Sequence, residues 1–323
     1  MSDSELKPPI ILLGNVRSGT SMIQGFFGLS DEVCTWFEPR TVWAYAAPGR
    51  KHDRFTRDDA SPKVKRYIRK RILRYQREHA GRRVMEKTPS NIMRVPYVHE
   101  IFPESRLIYL LRNPLSQMSS SEFRWQNVLN KNQFKTRLQE TPNTQLHYYA
   151  WRLLHDNFRK RVLRKKHVSI WGVRYPGIYE DKKKLTIEEL IAKQWVQASK
   201  TCRADLDEIE RSEPGSVYRI RYEDFIYDPA KYFAQMCEHV GLGVDQQILD
   251  EVAQQADTSS QDKWKRLDPE VIQRIKPIVE EEMRINGYEF PTELPTEEER
   301  QEILSREKLS VGGQGSTVRS RGS

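Results

Sequence analysis

IILLGNVRSGTS, residues 10–21, runs four consecutive apolar residues into a turn bounded by Gly14 and Gly19, then into hydroxyl residues where a helix should begin. Apolar residues in sequence rather than in alternation predict a strand covered on both faces, as in a parallel sheet. A strand that ends in such a turn directs successive backbone N–H groups to one place, which suits a phosphate or sulfate group. The glycine spacing is that of the pattern GxxxxGK[ST]. Here Thr20 stands at the lysine position, Ser21 follows it, and Arg17 supplies positive charge from inside the loop. An ordinary strand-turn-helix is the structural alternative.

Outward from this stretch, residues 20–28 predict a helix with Met22, Ile23, Phe26 and Phe27 turned inward. Arg83–Glu86 and Arg106–Leu111 predict two further strands, ending at Glu86-Lys87-Thr88 and at Arg112-Asn113. Apolar strands that all end in charged or hydroxyl groups fit a parallel sheet with ligands across its carboxyl edge. Asn113 and Pro114 start a helix over Leu115–Trp125. Further helices are predicted over Asn143–Arg164, Ile187–Ile209, from Asp228-Pro229 to just before Gly241, and over residues 270–285. Val168–Trp171 is a short strand or extended segment, and Ser216–Arg221 a strand. The expectation is a single α/β domain over residues 1–290 followed by a polar, disordered tail over 291–323. The long connections near 40–80 and 125–145 are not assigned.

The 323 residues carry 54 Lys and Arg against 45 Asp and Glu, a net charge of +9 that favours anionic ligands without choosing among nucleotides, acidic glycans and nucleic acid. Basic residues cluster at 63–77 and 159–166, but each cluster also holds the apolar residues of a helix packed on one side. A solvated face and a substrate-attracting patch both fit, and no nucleic-acid partner is expected. No apolar run reaches membrane-span length, and MSDSELKPP lacks the order of a secretory signal, so the expectation is a cytoplasmic protein. Cys34, Cys202 and Cys237 are too scattered for a disulfide framework or zinc site. The oligomeric state is left open.

Several segments, in order, carry a family resemblance: NVRSGTS; RLIYLLRNPLSQMSSS, in which Arg112 is followed eight residues later by Ser120; WFEPRTVW; MEKTPSN; IFPESR; YRIRYEDFIYDP; and DKWK. Together, over about residues 8–290, they resemble the sulfotransferase superfamily that uses 3′-phosphoadenosine 5′-phosphosulfate (PAPS), in particular its bacterial, carbohydrate and tyrosylprotein members. The resemblance implies a three-layer α/β fold with a P-loop-like central parallel sheet flanked by helices. It also implies PAPS as co-substrate, no metal requirement, and an acceptor that is a hydroxyl-bearing small molecule or glycan.

Residue by residue, the resemblance places Arg17, Ser18, Gly19, Thr20 and Ser21 at the phosphosulfate end of PAPS, and Arg112 with Ser120 at the 3′-phosphate. An arginine fork and a hydroxyl suit phosphate oxygens. Tyr222, Lys263 and Trp264 fall in further cofactor-binding segments. Lys87 is the partner expected for the leaving oxygen, Glu38 the catalytic base, and Arg174 and Tyr175 acceptor-side residues. Structural alternatives stand beside these roles: Glu38 paired with Arg40, Lys87 with Glu86, and Arg112 with Glu223 or Asp224. His52, His79 and His99 lie in no segment that matches a histidine base. A sugar hydroxyl is the leading acceptor, with tyrosyl, phenolic or lipid hydroxyls behind it. An atypical nucleotide kinase and a non-catalytic module that binds acidic glycans are the competing functions.

Overall fold

The computed structural model describes residues 5–127, 170–256 and 262–313. Five parallel strands form the central sheet: β1 (Ile10–Gly14), β2 (Val33–Phe37), β3 (Arg83–Lys87), β4 (Leu107–Leu111) and β5 (Val217–Arg221), in the order β2-β3-β1-β4-β5. Every residue of β1 and β4 is buried, which is why both read as unbroken apolar runs. Edge strand β2 differs. In VCTWF, Thr35 and Phe37 are exposed, so its pattern is mixed and the sequence shows it poorly.

Side-chain alternation splits the core into two layers. Ile11 and Leu13 of β1 pack on one face with α3 (Pro62–Glu78), α4 (Val95–Ile101), α5 (Pro114–Asn127), α7 (Ile187–Ser212) and α11 (Pro269–Ile285). Ile10 and Leu12 pack on the other with α1 (Thr20–Phe27), α8 (Tyr222–Tyr227), α9 (Pro229–His239) and α10 (Gln246–Gln255). The fold is therefore a helix-sheet-helix sandwich, as the sequence predicts. Of the four residues expected to point inward from α1, Ile23, Phe26 and Phe27 are buried and Met22 is half-buried.

Short helices α2 (Arg40–Trp43) and α6 (Ile178–Asp181) and the 17-residue α12 (Glu297–Gly313) complete the described set, with 3-10 turns at Pro89–Met93 and Asp262–Arg266 among the connections. The unassigned stretch 40–80 contains α3, capped by Ser61, whose hydroxyl accepts from the Val64 amide at 3.4 Å, with Pro62 at its first position. Thr186 and Glu189 form a reciprocal capping box at the start of α7. Within the segment read as a polar tail, α12 lies against the Asp262–Arg266 turn, and Arg300 Nε donates to the Arg266 carbonyl at 3.0 Å. The helix expected over Asn143–Arg164 and its basic cluster lie outside the described residues, as do residues 314–323 of the tail. Ile170 and Trp171, the described part of the Val168–Trp171 segment, belong to no strand. No helix among the described residues is long and apolar enough to cross a membrane.

The topology also fixes where a ligand can enter. After β1 the chain turns into α1 on one face of the sheet, whereas after β3 and β4 it turns into helices on the other. The crevice at the carboxyl end of β1 opens at this change of side, where open parallel sheets bind their ligands.

Candidate active site

The loop after β1 is shaped by close packing and two left-handed residues. A Cβ on Gly14 would lie 2.5 Å from Thr20 Cγ2 and 2.8 Å from Ser18 Oγ, so only glycine fits there. Arg17 and Gly19 have φ of 63° and 94°, which wraps the backbone around the crevice and starts α1 at Thr20. The first amides of α1 have no acceptor within the helix and carry the positive end of its dipole. Ser18 is buried, and its hydroxyl donates to the Asn15 carbonyl at 2.7 Å, so it holds the loop closed. Thr20 is buried, while Ser21 is exposed.

Arg17 reaches from this loop to α5, where its Nε donates to Ser120 Oγ at 2.7 Å. Arg112, one residue beyond β4, donates from Nη1 to the Arg17 carbonyl at 3.0 Å, and its guanidinium lies 4.2 Å over the Tyr222 ring. Tyr222 opens α8 directly after β5, and its ring fills the space where Gly19 has no side chain. Arg17, Gly19, Arg112, Ser120 and Tyr222 thus meet in one crevice. Of the acidic pair that the sequence sets near Arg112, Glu223 accepts from the Asn113 amide and the Tyr288 hydroxyl, and Asp224 pairs with Arg221.

A second group meets at the β2–β3 side. Lys87, at the end of β3 and only 2% exposed, donates to Ser21 Oγ at 3.1 Å and to Glu38 Oε1 at 3.0 Å. Arg40 holds the other oxygen of Glu38, with Nη2 and Nε at 2.6 and 3.0 Å from Oε2. The alternative pairing of Glu38 with Arg40 therefore exists alongside its contact with Lys87. Glu86 takes no part, because alternation along β3 turns it to the opposite face, where Asn91 Nδ2 donates to it at 2.9 Å. Glu38 itself has φ 47°, a conformation that costs a non-glycine residue roughly 1–3 kcal/mol. Burial pushes its carboxyl up, but the charges and hydrogen bonds of Arg40 and Lys87 outweigh this and hold it below the ordinary carboxylate value. Glu38 is thus ionised at neutral pH.

Ser21 lies in the first turn of α1, directly after the loop, and Lys87 touches it, so the two groups form a continuous line from Arg40 to Tyr222. The remaining expected residues lie further along. Lys263 and Trp264 sit in the Asp262–Arg266 turn, where the Lys263 carbonyl accepts from Ser119 Oγ and Trp264 packs half-buried against the core. Arg266, not anticipated from sequence, donates to both the side chain and the carbonyl of Ser119, next to Ser120. The sequence presents Arg40 only as a competitor for Glu38 and does not single out Phe37, whose ring is 55% exposed with the Lys87 ammonium 4.9 Å from its centre. Arg174 and Tyr175 are held by structural contacts: Arg174 pairs with Asp53 at 2.6 Å, and the Tyr175 hydroxyl donates to Asp181 at 2.6 Å. Among the described residues no group of His, Cys, Asp or Glu side chains has the arrangement of a metal site.

Comparison with known proteins bears on this arrangement. Among solved structures, the chain is similar to the sulfotransferase domain from the curacin biosynthetic pathway, at 15% identity over 88% of this chain and 99% of that one, with a TM-score of 0.47. A sulfotransferase from Alicyclobacillus acidocaldarius is 15% identical over 88% of this chain and 97% of that one, with a TM-score of 0.46. A retinol dehydratase in complex with retinol and PAP is 13% identical over 98% of this chain and 84% of that one, with a TM-score of 0.32. No curated protein matches the sequence. The Sulfotransferase family matches residues 8–186, a span that takes in the β1 loop, Glu38, Lys87, Arg112 and Ser120. On that match, more than half of the sequence, the chain belongs to the sulfotransferase family and is a PAPS-dependent enzyme.

Proposed function

We propose that the enzyme moves a sulfuryl group from PAPS to a hydroxyl of a carbohydrate. The observation that carries this reading is the unbroken line of cations and hydroxyls around the carboxyl end of β1. It runs from the Glu38–Lys87–Ser21 contacts to the Arg17–Ser120 and Arg112 contacts. This donor set suits a nucleotide with two separated anionic ends: Arg17, Ser21, Lys87 and the α1 amides would hold the phosphosulfate, and Arg112 with Ser120 the 3′-phosphate. Tyr222, Lys263 and Trp264 would complete the nucleotide site. When bound, PAPS supplies an electrophilic sulfur and a phosphate leaving group.

The chain's own residues then divide the work. Glu38, kept ionised by Arg40 and Lys87, accepts the proton of the attacking hydroxyl. Lys87, fixed between Glu38 and Ser21, provides a charge for the oxygen that becomes negative, and Arg17 provides a second. Fixed positive charge in a partly buried site needs no reorganisation as the reaction proceeds, so the proposal includes no metal. The FEP and KTP segments support a sugar acceptor through their resemblance to carbohydrate sulfotransferases, and the exposed Phe37 ring beside the site offers an apolar surface to one.

The test is a PAPS-dependent assay against glycans, phenols and lipid alcohols, read by the mass gain of one sulfate. Glycan products are expected; sulfation confined to phenols or lipid alcohols overturns the acceptor class. Turnover with ATP and magnesium but not PAPS overturns the reaction. Glu38→Gln should slow transfer by roughly 10²–10⁴-fold, as for loss of a general base, while leaving the affinity for adenosine 3′,5′-bisphosphate within about twofold. An unchanged transfer rate would remove Glu38 from the role of base.

A further inference from the structure

The Asp262–Arg266 turn contains no buried residue, so core packing alone does not fix its position. Polar contacts hold it from two sides. On the α5 side the Arg266 guanidinium donates to the hydroxyl and to the carbonyl of Ser119, and the same hydroxyl donates to the Lys263 carbonyl. Ser119 precedes Ser120, whose hydroxyl accepts from Arg17. Burial lowers the Arg112 guanidinium below its ordinary value and the Arg266 charge adds to the effect, so Arg266 lies within electrostatic reach of Arg112 as well.

α12 supplies the second side. Its start reads TEEERQEIL, residues 296–304, polar except for the half-buried Ile303 and Leu304, so charge more than an apolar face seats it. Arg300 joins the parts. Its Nε donates to the Arg266 carbonyl at 3.0 Å, its Nη2 lies 3.8 Å from Asp268, which caps α11, and its Nη1 pairs with Glu297 of its own helix at 3.1 Å. One residue earlier, Glu299 lies 3.7 Å from Lys265 of the turn. The carbonyl that Arg300 holds belongs to the residue whose guanidinium holds Ser119, so fixing the backbone of Arg266 sets where its side chain starts.

We propose that Arg300 is a positioning residue for the 3′-phosphate end of the nucleotide, acting through Arg266, Ser119 and Ser120. The inference rests on the nucleotide site proposed above and adds to it a helix that lies well beyond the residues 8–186 matched by the family. Arg300 holds the turn against α5, and Arg266 in turn keeps Ser119 and Ser120 in place beside Arg17 and Arg112.

Titration calorimetry on the full chain tests it with two probes, adenosine 3′,5′-bisphosphate and adenosine 5′-monophosphate, which lacks the 3′-phosphate. The parent should prefer the bisphosphate by at least about tenfold. Arg300→Gln should weaken the bisphosphate by roughly three- to thirtyfold and leave the monophosphate within about twofold. Arg300→Lys keeps the charge and a donor and should recover part of the loss. Arg74→Gln removes the same charge from an exposed position on α3, at the β2–β3 side, and should bind both probes as the parent does. An equal loss in Arg74→Gln would make the effect one of net charge and overturn the proposal. So would an Arg300→Gln protein that weakens both probes alike, the mark of a general structural role. The two readings fail differently: a parent that binds both probes equally overturns the 3′-phosphate site and the inference with it, whereas a preference in the parent that Arg300→Gln retains in full overturns the inference alone.

Discussion

Glu38, one residue past β2, and Glu86, within β3, share a residue type, but their surroundings shift their carboxyls in opposite directions. Glu38 lies between Arg40 and Lys87, which keep it ionised. Glu86 is fully buried on the opposite face, and burial pushes its carboxyl up to about 7 despite the Asn91 hydrogen bond. The sign of its effect follows from proton counting. Between the ordinary 4.5 and about 7 the folded chain keeps a proton on Glu86 that the unfolded chain has lost, so stability falls as pH rises through this window. The deficit is complete above it and amounts to on the order of 3 kcal/mol. Glu86→Gln cannot ionise and can still accept from Asn91. Its unfolding free energy should exceed that of the parent by about that amount at pH 8, and the gap should close near pH 4.5. Denaturant titrations at the two pH values check this, and a gap that does not change with pH refutes it.

At the level of elements, the loop between β1 and α1 works because Gly19 lets the Tyr222 ring close over it. A Cβ on Gly19 would lie 2.5 Å from two ring carbons, at a φ of 94° that already disfavours a side chain. Gly19→Ala should therefore cost about 1–2 kcal/mol for the backbone and about 1–3 kcal/mol for the forced contact. Because the Tyr222 ring also carries the Arg112 guanidinium, its displacement should weaken adenosine bisphosphate binding more than about tenfold, measured by calorimetry. Unchanged affinity would show that Tyr222 does not position Arg112. This loop was legible in sequence because its glycines, arginine and hydroxyls are consecutive, and β1, β3, β4 and β5 were legible because burial on both faces or a β-rich run marks them. Edge strand β2 was not, since two of its five residues face solvent. The seven-residue α4, with Pro96 in its first turn, is too short to show a helical period. Arg266 was illegible for a different reason: its partner Ser119 is 147 residues away, a distance that only the closed fold removes.

Across the whole molecule, the connection that follows Glu38 and Arg40 is tied down by buried charge. Asp53 donates its amide to the Arg174 carbonyl at 2.6 Å, accepts the Arg174 amide at 2.8 Å, and pairs with the guanidinium at 2.6 Å. The same carboxylate lies 3.5 Å from Arg94, itself almost wholly buried, while Arg54 pairs with Asp205 of α7. Residues 50–59, the 170–178 segment, the end of the 89–93 turn and α7 are therefore locked into one body on the α3 and α7 face of the sheet. Burial would push the Asp53 carboxyl up, but Arg174 and Arg94 outweigh it and hold it below the ordinary 3.8. Its stabilising share is thus present above 3.8 and lost as pH falls through the lower folded value. Asp53→Ala strands Arg94 without its carboxylate and should cost about 3–5 kcal/mol at pH 7, with a smaller difference from the parent as acid protonates Asp53 in the latter. Chemical denaturation at pH 7 and pH 3 measures both. An equal loss at the two pH values would mean that the aspartate acts by packing and not by charge. Arg17, Arg112 and Ser120 belong to the β1–β4 side, so the folded variant should still bind adenosine bisphosphate as the parent does; if that affinity collapses too, the two sides of the crevice are not independent.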